Sequence, residues 1–495
     1  MPEAPEAILE SFDVLIVGAG LSGIGAAIHL QRRCPAKTYA ILEARGAIGG
    51  TWDLFKFPGV RSDSDMYTLG YSFRPWTNAN AIAQGESIRR YIADAAREAG
   101  VDAHIRFGAR VTKAAWSGGA ARWTIEARRS DRTSVRFSCR FLYLCSGYYD
   151  YGSAYRPVFA NEASFKGTMV HPQFWPEQLD YAGKQVIVIG SGATAVTLIP
   201  EMAKRAAHVT MLQRSPSYVV TLPTVDAMAA TLRRWLPARI AHPMLRTKNV
   251  LISVAIFQFA RRWPALAKQR LIRMVRERLP ANFDIDRHFT PRYNVWDQRV
   301  CVVTDGDLFE AIRSGAVTVV TDEIEAFTSD GILLKSGAHL AADVVVAATG
   351  LKLNLLGDIE FTVNDARVEP SRAMTYKGAM LSGVPNLAYV FGYTNASWTL
   401  KADLTANYVC RLLRHMDSRG YATAIPRLDP ALAEEPFSNF TSGYVVRALD
   451  ILPKQGARRP WKVYHNFFLD ALTLRWARID DGVLDFERAR ARRAA

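Results

Sequence analysis

The sequence predicts an α/β fold with two Rossmann-like dinucleotide-binding domains, the second inserted in the first, and an added helical subdomain. Three observations predict it. Gly18-x-Gly20-x-x-Gly23 stands between a strand pattern and a helix pattern, and Gly190-Ser-Gly192-Ala-Thr-Ala195 repeats that context farther along the chain. Between 221 and 290 the alternation of strand and helix gives way to long basic helical segments punctuated by Pro237, Pro243, Pro264 and Pro280.

The elements follow in order. Asp13-Val-Leu-Ile-Val-Gly18 reads as a buried strand, Leu21 to Arg33 carries apolar residues at helical spacing, and Tyr39-Ala-Ile-Leu-Glu43 gives a second strand, completing a βαβ unit. The same grammar recurs in Gln185-Val-Ile-Val-Ile-Gly190, a helix from about Ala193 to Lys204 and a strand His208 to Gln213. Strand patterns return at Arg299 to Val303 and Val344 to Gly350. Leu387 to Gly392, with a helix from about Ser397 to Met416, reads as the return to the first domain. Met1 to about Glu10 and Arg488 to Ala495 are expected to be disordered.

Composition bounds the functional classes. With 495 residues, 49% apolar and 22% charged, the chain has ordinary globular composition and room for two or three domains. Its five cysteines are scattered without C-x2-C spacing, and no metal site is expected; a reducing, cytoplasmic location is the simplest expectation. Cys139 and Cys145 are separated by five residues, which argues against a disulfide reductase. The acidic start lacks the basic region of an export signal, and the longest apolar run, Val250 to Ala260, is too short to cross a bilayer. Residues 221 to 280 hold 12 Lys and Arg against Asp226 and Glu277, two thirds of the net charge of +15. With Trp235, Phe257, Phe259 and Trp263 interleaved, that stretch is either a solvated helical insertion or a surface that adsorbs to an anionic membrane at its inner face. Arg261, Arg262, Arg270 and Arg273 are the cations expected to carry such adsorption. No nucleic-acid motif accompanies them, and no nucleic-acid partner is expected.

The two fingerprints have a physical meaning. Gly18 permits the tight turn, Gly20 lets a pyrophosphate approach the backbone, Gly23 allows close helix packing, and Glu43 is placed to accept ribose hydroxyls. In the second site an acid is replaced by Gln213-Arg214-Ser215. A carboxylate there would repel a 2'-phosphate, whereas Arg214 and Ser215 can bind it, which favours NADPH over NADH. Two nucleotide sites on one chain suggest electron transfer from a nicotinamide to a flavin. The segment joining them reads Phe165-x-Gly167-x-x-x-His171-x-x-x-Trp175-Pro176, and Gly49-Gly50-Thr51-Trp52, Phe57-Pro58-Gly59 and Asp63 form a second spaced motif.

Together these two motifs resemble the signatures of the Baeyer-Villiger type of class B flavoprotein monooxygenases. Blocks such as Gly190 to Leu198, Gly392 to Asp403 and Leu452 to Gly456 are similar to the ethionamide-activating branch of that family. The resemblance runs from about Asp13 to Phe486. It implies FAD and NADPH as cofactors, with FAD domain parts at 8–150 and 353–495, NADPH domain parts at 151–220 and 295–352, and the helical subdomain at 221–294. It places FAD contacts at Gly18, Gly20, Ser22, Gly23, Glu43, Thr51, Trp52, Asp53, Leu54, Asp63 and Val111. NADPH contacts fall at Arg61, Ser62, Asp63, Gly190, Ser191, Gly192, Ala193, Thr194, Ala195, Val196, Arg214 and Ser215. Arg299 and Asp63 are the implied catalytic pair: a fixed guanidinium beside the flavin stabilises a C4a-peroxide anion, and Asp63 orients it. Many relatives carry a lysine just before that arginine; here it is Gln298, which leaves 2'-phosphate recognition resting mainly on Arg214. For His171, a structural role in the linker is preferred over that of a general base.

The function implied is oxygenation by NADPH and O2 of a small lipophilic ketone to an ester or lactone, with sulfoxidation of thioethers or thioamides. The competing reading is a redox-responsive, FAD- and NADPH-binding membrane-surface protein with little turnover. The physiological substrate and the oligomeric state are left open.

Overall fold

The computed structural model describes residues 8–488. The expected disorder at 1–7 and 489–495 therefore lies outside the described residues, but its inner limits need correction. Ile8 to Glu10 already belong to strand Ile8–Val17, paired in parallel with Ser134–Leu144, and Arg488 ends strand Leu484–Arg488. Edge pairing supplies backbone partners that residue composition alone does not reveal.

The first nucleotide fingerprint belongs to a nine-stranded sheet. Its order is Ala366–Val368, Glu360–Val363, Ala109–Ser117, Arg122–Arg129, Ser134–Leu144, Ile8–Val17, Tyr39–Leu42 and Ile105–Arg106. The ninth strand, Leu387–Tyr389, pairs in parallel with the C-terminal end of Ser134–Leu144, beyond the stretch that pairs with Arg122–Arg129. The last four residues of strand Ile8–Val17 are apolar on both sides because both faces are covered there. Val14 and Ile16 enter the core under helix Leu21–Arg33, whereas Leu15 and Val17 face the core of Trp116, Trp123 and Phe137. Helix Trp398–Arg419 packs against Leu21–Arg33, and so the last third of the chain closes the first layer.

The second fingerprint belongs to a five-stranded parallel sheet in the order Val317–Thr321, His208–Gln213, Gln185–Ile189, Val344–Ala347 and Thr168–Val170. All five strands fall between Ser134–Leu144 and Leu387–Tyr389 in sequence, so the second sheet is inserted in the first. The chain leaves and re-enters through an antiparallel pair, Tyr149–Ala154 with Leu351–Leu353.

Four helices, Ala227–Trp235, Ala238–Arg262, Pro264–Arg276 and Ile285–Phe289, occupy the basic stretch. Pro264 opens a helix as expected, but Pro243 does not interrupt one: it lies inside Ala238–Arg262. Its ring removes one amide donor near the helix start, on an exposed side where water can reach the freed carbonyl. Arg246 of this helix donates to the carbonyls of Tyr67, Thr68 and Gly70 (3.0, 3.1 and 2.7 Å) and to Asp403 Oδ2 (3.0 Å). Asp403 also receives Ser72 N (3.1 Å) and lies 3.1 Å from His29 Nε2. Burial pushes the Asp403 pKa up, but His29 and Arg246 overcome it and hold the carboxyl below its ordinary range.

Arg246→Ala would leave that carboxylate short of its main cation in a largely buried setting. A loss of about 3 kcal/mol is expected, since breaking one side of a buried pair strands the other. Urea unfolding of the purified variant measures it; a shift below about 0.5 kcal/mol would remove Arg246 as the anchor of the helical stretch.

Candidate active site

A cavity of about 570 Å³ opens between the two sheets. Its wall combines the first glycine turn (Gly18, Gly20), Glu43, Thr51 and Trp52, and Asp63 with Ala193, Thr194 and Thr197 from the second fingerprint helix, and Arg299. Residues predicted for two separate nucleotide sites thus share one chamber.

The first turn is shaped for a ligand with an extended backbone contact. Gly18 has φ +102, and a Cβ on it would lie 2.6 Å from the Cys145 carbonyl oxygen. A Cβ on Gly23 would lie 1.8 Å from the Gly18 oxygen, so the helix can sit this close only with glycine there. Helix Leu21–Arg33 begins at Gly20 without a side-chain cap, which leaves its first amides for a phosphate. Helix Ala193–Met202 begins in the same way at Gly192, where a Cβ would meet nothing within 4 Å. Both turns fit the pyrophosphate of a dinucleotide.

Glu43 is buried; its oxygens accept from Ala19 N (2.7 Å) and Arg45 N (2.8 Å), so it braces the turn while keeping lone pairs for a ribose. Burial raises its pKa against those amides and Arg45. Thr51 Oγ1 lies 3.0 Å from Tyr151 OH, Ser22 Oγ accepts from Trp398 Nε1 (2.8 Å), and Val111 lines the wall. Asp53 and Leu54 lie outside the wall, with Asp53 paired to Arg45 at 2.5 Å.

Arg61 faces the cavity and is bound to Asp307 at 2.6 Å; its other terminal nitrogen, Nη2, is buried without a partner. Ser62 exchanges bonds with Ala83. Ala195 and Val196 are fully buried in the core of the second sheet, so their side chains do not reach a ligand. Ser191 Oγ joins Ser215 O (3.0 Å) and Ser217 Oγ (2.9 Å), tying the second glycine turn to the segment after His208–Gln213. Arg214 and Ser215 are exposed there.

Arg299 stands in the turn before strand Cys301–Thr304, not in the strand, and its Nη2 lies 3.1 Å from Asp63 Oδ2. It is enclosed by protein yet open to the cavity. Asp63 pushes its pKa well above the ordinary value, against desolvation and with help from Tyr148, Tyr444 and Tyr149. The preceding turn is fixed by Asp297, which accepts from Asn294 N (3.1 Å) and pairs with Arg261 (2.8 Å). Arg261 is therefore a structural partner of the Arg299 turn and not a free surface cation, which corrects its grouping with Arg262, Arg270 and Arg273.

The linker motif lies beside the cavity wall. His171 Nε2 is 3.2 Å from Gly350 O, and Nδ1 accepts from Gln173 N (3.1 Å); burial lowers its pKa, which favours the neutral ring with the proton on Nε2. A Cβ on Gly167 would lie 2.5 Å from Asp343 O, Phe165 packs edge-on to Phe327, and Trp175 edge-on to Tyr181.

The comparisons bear on this geometry. A family model described as flavin-binding monooxygenase-like matches residues 71–377, and one for an NAD(P)-binding Rossmann-like domain matches 16–82. The FAD-containing monooxygenase EthA of Mycobacterium tuberculosis (strain ATCC 25618 / H37Rv) is 52% identical over 479 residues, covering 96% of this chain and 98% of that protein. The chain belongs to the flavin-binding monooxygenase family. The putative FAD-containing monooxygenase MymA of the same strain is 51% identical, covering 98% of this chain and 99% of that protein. A steroid monooxygenase solved with NADP has a TM-score of 0.70 at 24% identity, covering 85% of this chain and 88% of that one. The open structure of cyclohexanone monooxygenase has a TM-score of 0.70 at 19% identity, covering 85% and 90%; both likenesses bear on the fold. The family, the α/β fold class and the oxidoreductase activity read from the sequence all stand.

Several wall residues were not assigned to the site from the sequence: Tyr148 and Tyr149 come from a segment with no spaced motif, and Tyr393 and Trp398 from the Gly392 to Asp403 block, whose resemblance named no site residue. Tyr393 backs onto a buried pair, Lys401 with Asp470 at 2.8 Å, beside His465, whose ring nitrogens are both buried and unpartnered. Burial pushes the His465 pKa down to about 4. The folded protein therefore keeps His465 neutral while the unfolded chain binds a proton below its ordinary value of 6.5. Stability is expected to fall as pH drops from 6.5 to about 4. His465→Gln should flatten that part of the curve in denaturant titrations; an unchanged slope would mean that the ring is solvated.

Proposed function

We propose that this chain uses NADPH and O2 to insert one oxygen atom beside the carbonyl of a small lipophilic ketone, giving an ester or lactone and water. The same site would transfer oxygen to the sulfur of thioethers or thioamides. The observation that carries the reading is the Arg299–Asp63 pair in the wall of a cavity shared by both nucleotide turns. Relatives named as FAD-containing monooxygenases, and solved structures of ketone and steroid monooxygenases of the same fold, support it. The alternative of a membrane-surface protein with little turnover gains no support from them.

Bound FAD, once reduced by NADPH, supplies the oxygen-transfer chemistry. The first glycine turn holds its phosphates and Glu43 its ribose. Arg299 presents a permanent positive charge where negative charge develops on the reacting oxygens, and Asp63 keeps that guanidinium oriented. Because the pair is preorganised by protein, no water must rearrange as the charge appears. Arg299→Ala is expected to retain FAD and its reduction by NADPH while losing oxygenated product, with NADPH oxidation uncoupled from ester formation. Stopped-flow spectra with product analysis test this, and normal ester yield would sink the assignment.

On the nicotinamide side, Arg214 is the expected ligand of the 2'-phosphate. A second cation joins it in this proposal. Arg447 stacks its guanidinium 3.4 Å from the Tyr155 ring centre and lies beside Gly350, just past strand Val344–Ala347 of the second sheet. Burial, and in smaller measure repulsion from Arg214, lowers its pKa, as expected of two arginines near one phosphate site. Arg447 takes the part that Gln298 leaves open. Arg214→Ala should weaken NADPH by about 1.5 to 3 kcal/mol while sparing NADH. Steady-state KM values for both coenzymes decide it; an unchanged ratio moves recognition elsewhere.

A cytoplasmic location with peripheral attachment to the anionic inner face of the membrane completes the proposal. No single described helix is long and apolar enough to cross a bilayer.

A further inference from the structure

The three helices Ala227–Trp235, Ala238–Arg262 and Pro264–Arg276 expose large apolar side chains to an extent that neither nucleotide site explains. Trp235 is 76% exposed, Ile240 51%, Leu251 52%, Ile256 55%, Trp263 49% and Leu266 53%. Ile240, Met244 and Leu251 fall on one stripe of the long helix, and Ile252, Ile256 and Phe259 widen it over the second half. From Asn249 to Ala260 no charged residue occurs. Cations border the apolar field: Arg234 lies over the Trp235 ring and Arg262 over the Trp263 ring, each at 5.8 Å. Arg239, Arg270 and Arg273 are exposed without a carboxylate partner among the described residues. The two longer helices bend by 115° at Trp263, which puts Trp263 and Leu266 at the corner.

We infer that this face docks on an anionic lipid bilayer, its apolar side chains entering the headgroup boundary while the bordering arginines bind lipid phosphates. The inference deepens the membrane part of the proposed function by naming the inserted side chains. A contiguous exposed apolar field marks a docking surface, and interleaved Trp and Arg suit the water-lipid boundary, where one end of a side chain is wet and the other apolar. Charge decides among occupants. A second copy would bring two strongly basic faces together, and a nucleic acid would set phosphates against Leu251, Ile252 and Ile256. Only an anionic bilayer satisfies both the cations and the apolar side chains.

The same helix reaches the active site. Asn249 Nδ2 donates to Asp65 Oδ1 (2.7 Å), two residues from Asp63, while Arg261 holds Asp297, two residues from Arg299. Docking through the outer face of this helix sets the cavity close to the membrane, where a lipid-dissolved ketone is concentrated.

The test is flotation of the full-length protein with vesicles of equal parts phosphatidylglycerol and phosphatidylcholine, at low and high salt, with light scattering of the free protein. Wild type is expected to float with these vesicles and far less with pure phosphatidylcholine. Leu251→Gln with Ile256→Gln should reduce partitioning about tenfold or more, and Arg262→Glu with Arg270→Glu should abolish it. Both variants should keep turnover of a small water-soluble ketone without vesicles. A wild type that stays unbound at low salt, or an apolar variant that floats like wild type, overturns the inference. So does a dimer that the Leu251 and Ile256 substitutions dissociate. Flotation with no ketone turnover would count against the reaction and leave the docking face standing.

Discussion

The contact between Asp63 and Arg299 joins the two halves of the active site, and its geometry depends on a helix that touches neither residue. Helix Ala238–Arg262 holds the chain at 65–70 through Asn249 and Arg246, and the Asp297 turn through Arg261. An arginine carries no fixed position of its own, because its long side chain has many rotamers; position comes from the backbone on which it stands. Here that backbone is a tight turn pinned by Asp297, with Trp296 at φ +71. The helix sets the spacing between the charge and the carboxylate that orients it.

The shared cavity gives that arrangement its chemical use. The starts of two helices, at Gly20 and Ala193, face one chamber whose wall also holds Arg299 and Asp63, so these residues would hold the two dinucleotides within reach of one charged pair. The linker carrying Phe165, Gly167, His171 and Trp175 packs against the second sheet outside the cavity wall. His171 binds Gly350, just past strand Val344–Ala347 of the second sheet. In that position a neutral ring is a tether, and its influence on catalysis would run through the placement of the second sheet.

Buried charge is used sparingly and always with partners. Asp403 is surrounded by His29, Ser72 and Arg246, and Lys401 by Asp470, with each group repaying the desolvation of the other. The large excess of positive charge is instead left on the outer helices, where it meets water and the exposed apolar field.

The sequence by itself determined the fold class, the two glycine turns and the inserted order of the sheets, because each depends on local spacing. Glycines at fixed intervals after an apolar strand can do little else, and Gly23, where a Cβ would lie only 1.8 Å from the Gly18 carbonyl oxygen, shows why. The cavity-lining residues Gly18, Glu43, Thr51 and Thr194 were legible in the same way, as members of motifs. Only the tertiary structure decided that Asp53 is paired to Arg45, that Ala195 and Val196 point into the core, and that Arg261 belongs to the Arg299 turn. It also brought Tyr148 and Tyr393 to the cavity wall, neither of which the spaced motifs had marked as a site residue. The physical reason is distance along the chain: local spacing fixes which way a residue faces on its own strand or helix, while its partners are chosen by packing between elements that the sequence leaves far apart.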